Sequence, residues 1–491
     1  MKNRSNQISR RKFIGATSTI MAGITVVPRH AIAGLGHLPP SDKLNIAGIG
    51  IGGKGKVNLA NMVGQNMVAM CDVDWDYAEK VFKTYSKAKK YKDFRKMFEA
   101  QKDIDAVVIA TPDHSHALQA MIAMQLGKHV YCQKPLTHSV WESRQLTEAA
   151  KKYKVATQMG NEGHSDDDVR KVTELIHSGI IGDVYEVHAV TNRPIWPQGL
   201  HRPKEVHKIP NTLDWDLFIG PAKHRLYNEA YHPWSWRAWW DFGTGALGDM
   251  GCHVMDVPFY AMDLGYPIKV QASSSVVNTE SAPQASRVEY IFPKRNSRFG
   301  KEMPEVKLVW HDGGLLPRRP EELPDGVEMG NWGNLNLYIG TKGKIISDYY
   351  GRDAKVLLDN HEKPTVNIEK IPDHKLGGGR HEMDWVRACK EDTDSRTEAC
   401  AHFGYSGPLN ETVVMGNLAI RLQGLNREFD WNGKKMEITN IGKNEKLDLI
   451  TKHEYKKINK QPQFNTDYKK VNALDFANEM IKHKYRKGWN W

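Results

Sequence analysis

The sequence feature that most constrains the fold is a glycine-rich turn between a short apolar stretch and a helical one. Residues 48–53 read G-I-G-I-G-G, with glycines at the first, third and sixth positions. The turn follows the apolar residues 44–49, and a second apolar stretch, 67–71, ends in Asp72. The glycine pattern alone is weak evidence. A strand, a glycine turn, a helix and a second strand with an acidic end together predict a dinucleotide-binding βαβ unit.

The predicted unit gives each part of this turn a role. Glycines permit a tight turn and a close approach of the backbone to a pyrophosphate, which the N-terminus of the next helix attracts. Asp72 can accept hydrogen bonds from the adenosine ribose hydroxyls, and its charge would repel a 2′-phosphate, which favours NAD over NADP. The cofactor-binding residues predicted from this unit are Gly48, Gly50, Ile51, Gly52, Gly53 and Asp72.

Strands and helices continue to alternate beyond this unit. Strands are predicted at 105–110, 128–132 and 155–159, and helices at 75–89, up to 126 and at 140–153. This order predicts a parallel, doubly wound sheet, in which ligands bind at the carboxyl ends of the strands. The residues predicted at that edge are Thr111, Pro112, His116, Gln133, Lys134 and Asn161. Of His114 and His116, one is expected to cap the next helix and the other to approach the cofactor.

The second half of the chain follows a different pattern. Strands are predicted at 184–191, 269–277, 287–292, 306–310, 335–339, 344–347 and 355–358, and helices at 167–178, 381–390 and 408–425. They favour an open, largely antiparallel sheet. The predicted fold class is α/β, with a Rossmann domain at 34–160 and an α+β domain with a large, mainly antiparallel sheet at 161–425. A C-terminal tail at 426–491, with a helix at 471–485, is expected to pack on the domains.

A second glycine-rich stretch, residues 243–256, carries the next candidate chemistry. It places Asp249 and His253 four residues apart. On a helix this spacing brings both side chains to one face, with Cβ atoms about 5–6 Å apart. A carboxylate can fix the tautomer of an imidazole and raise its basicity, so the pair is a candidate for proton transfer. Asp256 continues the spacing, and these three residues could instead hold Zn²⁺ or Mn²⁺. We favour proton transfer and predict no metal.

These motifs, in this order, resemble the Gfo/Idh/MocA family of nicotinamide-dependent sugar oxidoreductases. They are the glycine turn with Asp72, T-P-D-H-S-H at 111–116, Q-K-P at 133–135 and G-A-L-G-D-M-G-C-H at 245–253, and the resemblance covers residues 43–425. It implies that Lys134 is a catalytic lysine beside the nicotinamide, and that Asp249 and His253 are an acid/base pair. The family usually has Glu before this lysine. Gln133 can still hydrogen-bond the cofactor ribose, but it lends no negative charge to Lys134.

Candidate substrate residues follow from position and chemistry. The segment 232–240 reads H-P-W-S-W-R-A-W-W. Tryptophan faces stack on sugar rings, and an arginine can bind hydroxyls or a carboxylate. Asn161 and His164 come directly after the last strand of the parallel sheet. The predicted substrate-binding set is His164, Trp236, Arg237, Asp249 and His253.

The first 33 residues predict an export signal. S-R-R-K-F-I at 9–14, an apolar run to 27 and A-I-A at 31–33 are typical of a twin-arginine signal peptide cleaved near Ala33. The run is too short to span a membrane, so we expect a periplasmic protein without stable membrane insertion. Without this segment 63 Lys and Arg remain against 58 Asp and Glu, a net charge of +5 instead of +11. Such a mild charge predicts no nucleic-acid partner. A homo-oligomer is expected.

Together these features predict an NAD-dependent oxidoreductase that acts on a secondary hydroxyl of a sugar or glycoside and retains its NAD. His253, oriented by Asp249, is the predicted base, and Lys134 is the cation that holds the oxygen and relays the proton. Two alternatives stay open. One is an NAD-dependent glycosidase or lyase that oxidises its substrate transiently, and the other is a sugar-binding relative without catalysis.

Overall fold

Six parallel strands form the first sheet in the computed structural model, which describes residues 43–358 and 381–491. They are β1 Asn45–Ile49, β2 Asn66–Cys71, β3 Lys89–Tyr91, β4 Ala106–Ile109, β5 His129–Cys132 and β6 Thr157–Met159. Their order is β3-β2-β1-β4-β5-β6, and all neighbouring pairs are parallel. The predicted parallel sheet is therefore confirmed. The predicted signal peptide, residues 1–33, lies outside the described residues.

Five helices connect these strands: α1 Lys54–Asn61, α2 Glu79–Thr84, α3 Phe94–Ala100, α4 Asp113–Gln125 and α5 Val140–Tyr153. Helix α5 has the predicted bounds because Ser139 and Glu142 form a capping box at its start. The predicted helix at 75–89 is wrong, since only α2 forms there and β3 follows. Helix α3 was not predicted. Asp93 is its N-cap residue, and the Asp93 side chain accepts a hydrogen bond from the Arg95 amide.

The second sheet has nine strands and is mainly antiparallel, as predicted. Its strands are β7 Val184–Val190, β8 Lys269–Ser274, β9 Ser286–Phe292, β12 Val306–His311, β13 Leu335–Gly340, β14 Lys344–Ser347, β15 Lys355–Leu357, β16 Phe429–Asn432 and β17 Glu437–Ile438. A separate ribbon joins β10 Arg295–Asn296 to β11 Glu302–Met303. The order is β15-β14-β13-β7-β12-β9-β8-β16-β17, and β7 and β12 are parallel. Because β16 and β17 come from the predicted tail, the expected boundary at 425 divides this sheet.

The described part of the second half also contains seven α-helices. They are α6 Asp167–His177, α7 Trp215–Ile219, α8 Gly245–Val254, α9 Asp256–Ala261, α10 His381–Lys390, α11 Phe403–Leu422 and α12 Ala473–Ile481, with 3₁₀ turns at Glu162–Ser165, Ser235–Ala238 and Gln423–Leu425. A long hairpin, β18 Lys446–Ile458 and β19 Gln461–Asn472, precedes α12 and was not predicted. The predicted tail helix therefore starts too early. Within the described ranges, no helix has both the length and the apolar character needed to cross a membrane.

The first sheet is buried on both faces. Successive residues of β4 alternate between two cores: Val107 and Ile109 lie in one, and Ala106 and Val108 in the other. Trp385 of α10 is fully buried in the second core. A helix from late in the sequence thus completes the nucleotide domain, and the carboxyl ends of the strands stay open for a ligand.

Candidate active site

A cavity of about 620 Å³ opens where β1, β2, β4 and β5 end. Its walls combine the edge of the parallel sheet with residues from the second half of the sequence. The predicted site residues that line it are Gly50, Gly52, Gly53, Asp72, Thr111, Pro112, Gln133, Lys134, Trp236, Arg237 and His253. The structure therefore brings most of the predicted cofactor and catalytic residues to one place.

The glycine turn forms a cradle that a side chain would fill. Gly50 has a φ of +75°, and a Cβ there would lie 2.7 Å from the carbonyl carbon of Ala110 and the amide nitrogen of Thr111. A Cβ on Gly52 would lie 2.3 Å from Tyr77 Cδ1. These positions accept only glycine without movement of neighbours, and they leave the backbone open to a pyrophosphate. Gly48 instead allows the strand to pack on Ile51 and Leu59, and Ile51 is buried in the core. Neither Gly48 nor Ile51 lines the cavity, and their contact with the cofactor stays a prediction.

Asp72 marks the far end of the cradle. Its Oδ2 accepts from the Gly52 amide and its Oδ1 from the Asp74 amide, both at 3.0 Å. Burial raises the pKa of Asp72 to about 6, against the lowering effect of these hydrogen bonds. A carboxylate in this position suits ribose hydroxyls and disfavours a 2′-phosphate. The cradle and Asp72 together fit NAD.

A buried ion cluster lies at the other end of the cavity. Lys134 Nζ donates to the carbonyl oxygen of Asp249 at 2.7 Å and to its Oδ1 at 3.0 Å. Arg237 Nε donates to the same Oδ1 at 3.1 Å. Burial favours a higher pKa for Asp249, but Lys134 and Arg237 together hold that pKa at about 2. The carboxylate is therefore ionised and is committed to two cations.

His253 does not pair with Asp249, and the predicted orienting role of Asp249 is wrong. The carboxylate is turned toward Lys134 and Arg237. The buried Nδ1 of His253 has no hydrogen-bond partner among the described residues. Burial and the nearby Lys134 lower the pKa of His253 well below its usual value. An uncharged imidazole on the cavity wall is able to accept a proton.

Arg237 is held between two tryptophan rings. Its guanidinium carbon lies 4.3 Å from the centroids of both Trp234 and Trp236. Trp236 is buried, whereas Trp234 is 49% exposed at the cavity. A Cβ on Gly243 would lie 2.5 Å from the Arg237 carbonyl oxygen, so this glycine lets the tryptophan segment lie against the start of α8. Trp234 was not predicted, although the repeated tryptophans in the sequence were the signal for it.

Three predicted site residues, His164, His116 and Asn161, do not line the cavity. His164 contacts the Asp256 carboxylate at 3.0 Å, and Tyr405 donates to the same group at 2.7 Å. The two ring nitrogens of His116 contact the carbonyl oxygens of Pro135 and Thr111, each at 2.7 Å.

The structure does not support the predicted contacts of these two histidines with a ligand, because their rings are engaged by Asp256 and by the backbone of Thr111 and Pro135. Asn161 is buried between Gly160 and Glu162, which both line the cavity, and its side-chain amide has no hydrogen-bond partner in the described part of the protein. Its contact with the cofactor stays a prediction. Asp256 begins α9 and is engaged by His164, so it does not join Asp249 and His253 as the alternative metal site would require.

Several further lining residues were not among the predicted site residues. Tyr77 and His232 lie beside the cradle, and Lys54 pairs with Glu162 at 2.7 Å on the wall. Trp489, from the C-terminal segment, also lines the cavity. No local signal marks these residues, because long-range packing brings them to the site.

Comparison with known proteins agrees with this geometry. Residues 44–161 match the model of the oxidoreductase family with an NAD-binding Rossmann fold, Gfo/Idh/MocA, and residues 165–296 match the α/β C-terminal domain of the same family. Inositol 2-dehydrogenase of Salmonella typhimurium is 33% identical over 193 residues, which are 38% of this chain and 55% of that protein. D-glucoside 3-dehydrogenase of Escherichia coli is 22% identical over 285 residues, or 56% of this chain and 69% of that protein.

Solved structures share the fold. The WlbA dehydrogenase of Bordetella pertussis, crystallised with NADH and UDP-GlcNAcA, superposes with a TM-score of 0.54 at 16% identity, over 79% of this chain and 99% of that one. An NAD-binding protein of Listeria innocua gives 0.51 at 17% identity, over 79% and 97%. The chain spans about half the length of the inositol dehydrogenases that it matches. With its NAD-binding domain and its C-terminal domain both matched, this chain belongs to the Gfo/Idh/MocA oxidoreductase family.

Proposed function

We propose that this protein oxidises a secondary hydroxyl of a sugar or glycoside with NAD that it retains between turnovers. One observation carries the proposal: Lys134 and His253 lie on the same cavity as the glycine cradle and Asp72. When bound, NAD would supply the hydride acceptor. Gly50, Gly52 and Asp72 are the residues that would hold its phosphates and ribose.

The side chains at the ion cluster have different roles in the proposed reaction. Lys134, fixed by Asp249, would donate a hydrogen bond to the reacting oxygen and stabilise the charge that develops on it. His253 is uncharged because burial and Lys134 lower its pKa, and this lowering weakens it as a base. We assign it the hydroxyl proton because it lines the same cavity as Lys134 and its Nδ1 has no partner among the described residues. Asp249 acts by positioning Lys134, since both of its contacts with this lysine are short.

The tryptophans beside the ion cluster support a carbohydrate substrate. Trp234 presents a half-exposed ring at the cavity, and Trp236 lines the same wall. Aromatic faces bind the apolar faces of sugar rings, and Arg237 between them can reach a hydroxyl or a carboxylate. The named activities of the inositol and glucoside dehydrogenase relatives are consistent with this class of substrate.

Retention of NAD follows from the export that the N-terminal sequence predicts. A periplasmic enzyme meets little free NAD, so we propose that the cofactor is loaded before transport and stays bound. A bound cofactor must be reoxidised in place, by a second sugar or by re-reduction of the first product. In the latter cycle the ketone would acidify the neighbouring C–H, the aglycone would leave by elimination, water would add to the resulting double bond, and the hydride would return to the ketone. The net reaction would be hydrolysis without net oxidation, which keeps the glycosidase alternative open.

Two measurements test the proposed function. Protein purified without added cofactor should release NAD on denaturation, and it should convert aryl glycosides to keto products or release their aglycone. Lys134→Ala should lose at least about 100-fold in turnover, since it removes a charged donor from the reacting oxygen. Lys54→Ala, on the same cavity wall but paired with Glu162, is the matched control and should keep most activity. If Lys134→Ala keeps full activity, the proposed role of Lys134 is wrong. If the purified protein contains no NAD and turns over only with millimolar added NAD, the proposed retention of NAD is wrong.

A further inference from the structure

The C-terminal segment supplies part of the cofactor cavity. Trp489 is 7% exposed and lines the cavity together with Asp72, Lys92 and Phe94. In a Rossmann domain the acidic residue at the end of the second strand marks the adenosine ribose. Asp72 occupies that position here, and its amide donates to the Tyr91 carbonyl at 3.1 Å. Trp489 packs on Arg95, which follows Tyr91 closely in the sequence, so it lies at the adenosine end.

Two guanidinium groups lie near the indole of Trp489. The Arg95 guanidinium lies 4.1 Å from its ring centroid, and that of Arg486 lies 5.5 Å from it. Arg95 is itself held by Asp93, at 2.7 Å. The backbone amide of Trp489 donates to the Arg486 carbonyl at 3.0 Å. The ring is therefore an ordered part of the cavity wall.

Arg486 attaches this segment to the loop after α7. Its amide donates to the Pro221 carbonyl at 2.9 Å, and its Nε donates to the Gly220 carbonyl at 3.0 Å. Its guanidinium also pairs with the Asp216 side chain. Pro221 lines the cavity beside Trp489. The C-terminal segment is thus bound to α7 and the loop after it, and Trp489 connects it to Arg95 of α3.

We propose that Trp489 is part of the adenine-binding wall and that residues 482–491 form a clasp that slows the release of NAD. The inference rests on the proposed function for the identity of the bound group. A purine is flat and aromatic, so it can stack on an indole face. Such stacking provides a substantial part of the free energy with which a protein binds one base. The segment lies beyond residues 44–296, which the family models match, so the clasp is an addition to the matched domains.

Trp491 provides a matched control. It stacks on Trp141 with ring centroids 5.4 Å apart and planes 5° apart, and it does not line the cavity. It is the same residue type in the same segment, and it is also packed. If Trp489 only stabilised the C-terminal segment, both substitutions should act alike. If Trp489 contacts the base, only its substitution should change NAD binding.

The experiment compares wild type, Trp489→Ala and Trp491→Ala, each purified without cofactor. NAD released by denaturation gives the occupancy, and loss of fluorescence after dilution of NADH-loaded protein gives the dissociation rate. Trp489→Ala should lose NAD and release NADH about 10-fold or more faster, whereas Trp491→Ala should match the wild type. Equal dissociation rates for wild type and a folded Trp489→Ala would overturn the clasp.

Half-ligands separate this inference from the proposed function. Calorimetric titration with AMP and with nicotinamide mononucleotide probes the two ends of the cavity. Trp489→Ala should weaken AMP and leave nicotinamide mononucleotide unchanged, and equal weakening of both would show a general structural role. Trp489→Leu, which keeps apolar bulk, replaces the alanine variant if that variant does not fold. A wild type that binds neither NAD nor AMP would instead refute the proposed function.

Discussion

Removal of Lys134 tests the charge arrangement at the centre of the site. Lys134 and Asp249 form a salt bridge in which each side chain is only 15% exposed. Burial alone would raise the pKa of Asp249, but the two cations lower it from 3.8 to about 2. At about 1.4 kcal/mol per pKa unit, this lowering corresponds to about 2 kcal/mol of folded-state stabilisation, which Lys134 and Arg237 share.

Lys134→Met should therefore lower the free energy of unfolding by about 1–2 kcal/mol at pH 7, because a buried carboxylate loses one of its two cations. Since the pKa of Asp249 is depressed, the difference should be complete above about pH 4 and fade as the pH falls toward 2. Urea unfolding followed by circular dichroism measures it. Lys54→Met is the control: Lys54 and Glu162 are 37% and 40% exposed, so its loss should cost less than about 1 kcal/mol.

A double-mutant cycle with Asp249→Asn separates charge pairing from packing. If the ion pair carries the effect, Lys134→Met should cost about 1 kcal/mol less in the Asp249→Asn background than in the wild type. Additive effects in the cycle would refute the reasoning, as would a Lys134→Met variant no less stable than Lys54→Met. Either result would mean that Lys134 acts on the reacting substrate alone.

Three further substitutions test other parts of the site. Gly50→Ala should destabilise the protein by about 1–3 kcal/mol in chemical denaturation and abolish NAD binding in titrations, because its Cβ would meet the backbone of Ala110 at a φ of +75°. Asp72→Ser should narrow the preference for NAD over NADP in binding titrations; an unchanged ratio would contradict the role of Asp72. Burial raises the pKa of Asp113 to about 7, so wild-type stability should fall relative to Asp113→Asn as the pH rises from about 4 to 7 and stay level above. If the difference in unfolding free energy between the two proteins does not change with pH, Asp113 is not protonated in the folded state.

The sequence was sufficient to predict elements whose signals are local. The apolar runs of β1, β4 and β5 and the capping box of α5 mark their own positions, and the glycine turn required one backbone geometry. The hairpin of β18 and β19 was missed because its outer half is exposed on both strands and has no apolar period. Strand β3 is three residues long and was missed because its burial depends on its neighbours.

Side-chain partners were harder to predict than side-chain positions. Spacing on α8 placed Asp249 near His253, but it gave no information about Lys134, which is 115 residues earlier in the sequence and takes the carboxylate. His164 follows a strand end as predicted, yet its ring turns to Asp256. Residue type and spacing therefore identify the cavity, whereas competition among distant charged groups decides which pairs form.

The same competition explains Gln133, the position where the family usually has Glu. Gln133 Nε2 donates to Asn58 Oδ1 at 2.9 Å, and Asn58 Nδ2 donates to Glu382 Oε1 at 2.7 Å. A carboxylate therefore already lies two hydrogen bonds away, on α10, and Glu382 is only 2% exposed. A glutamate at 133 would face the Asn58 oxygen and would place a second negative charge close to Glu382, where burial makes repulsion costly. Gln133 supplies the donor that this network requires. The departure from the family pattern thus follows from the way α10 closes the nucleotide domain, and it leaves the contacts of Lys134 with Asp249 in place.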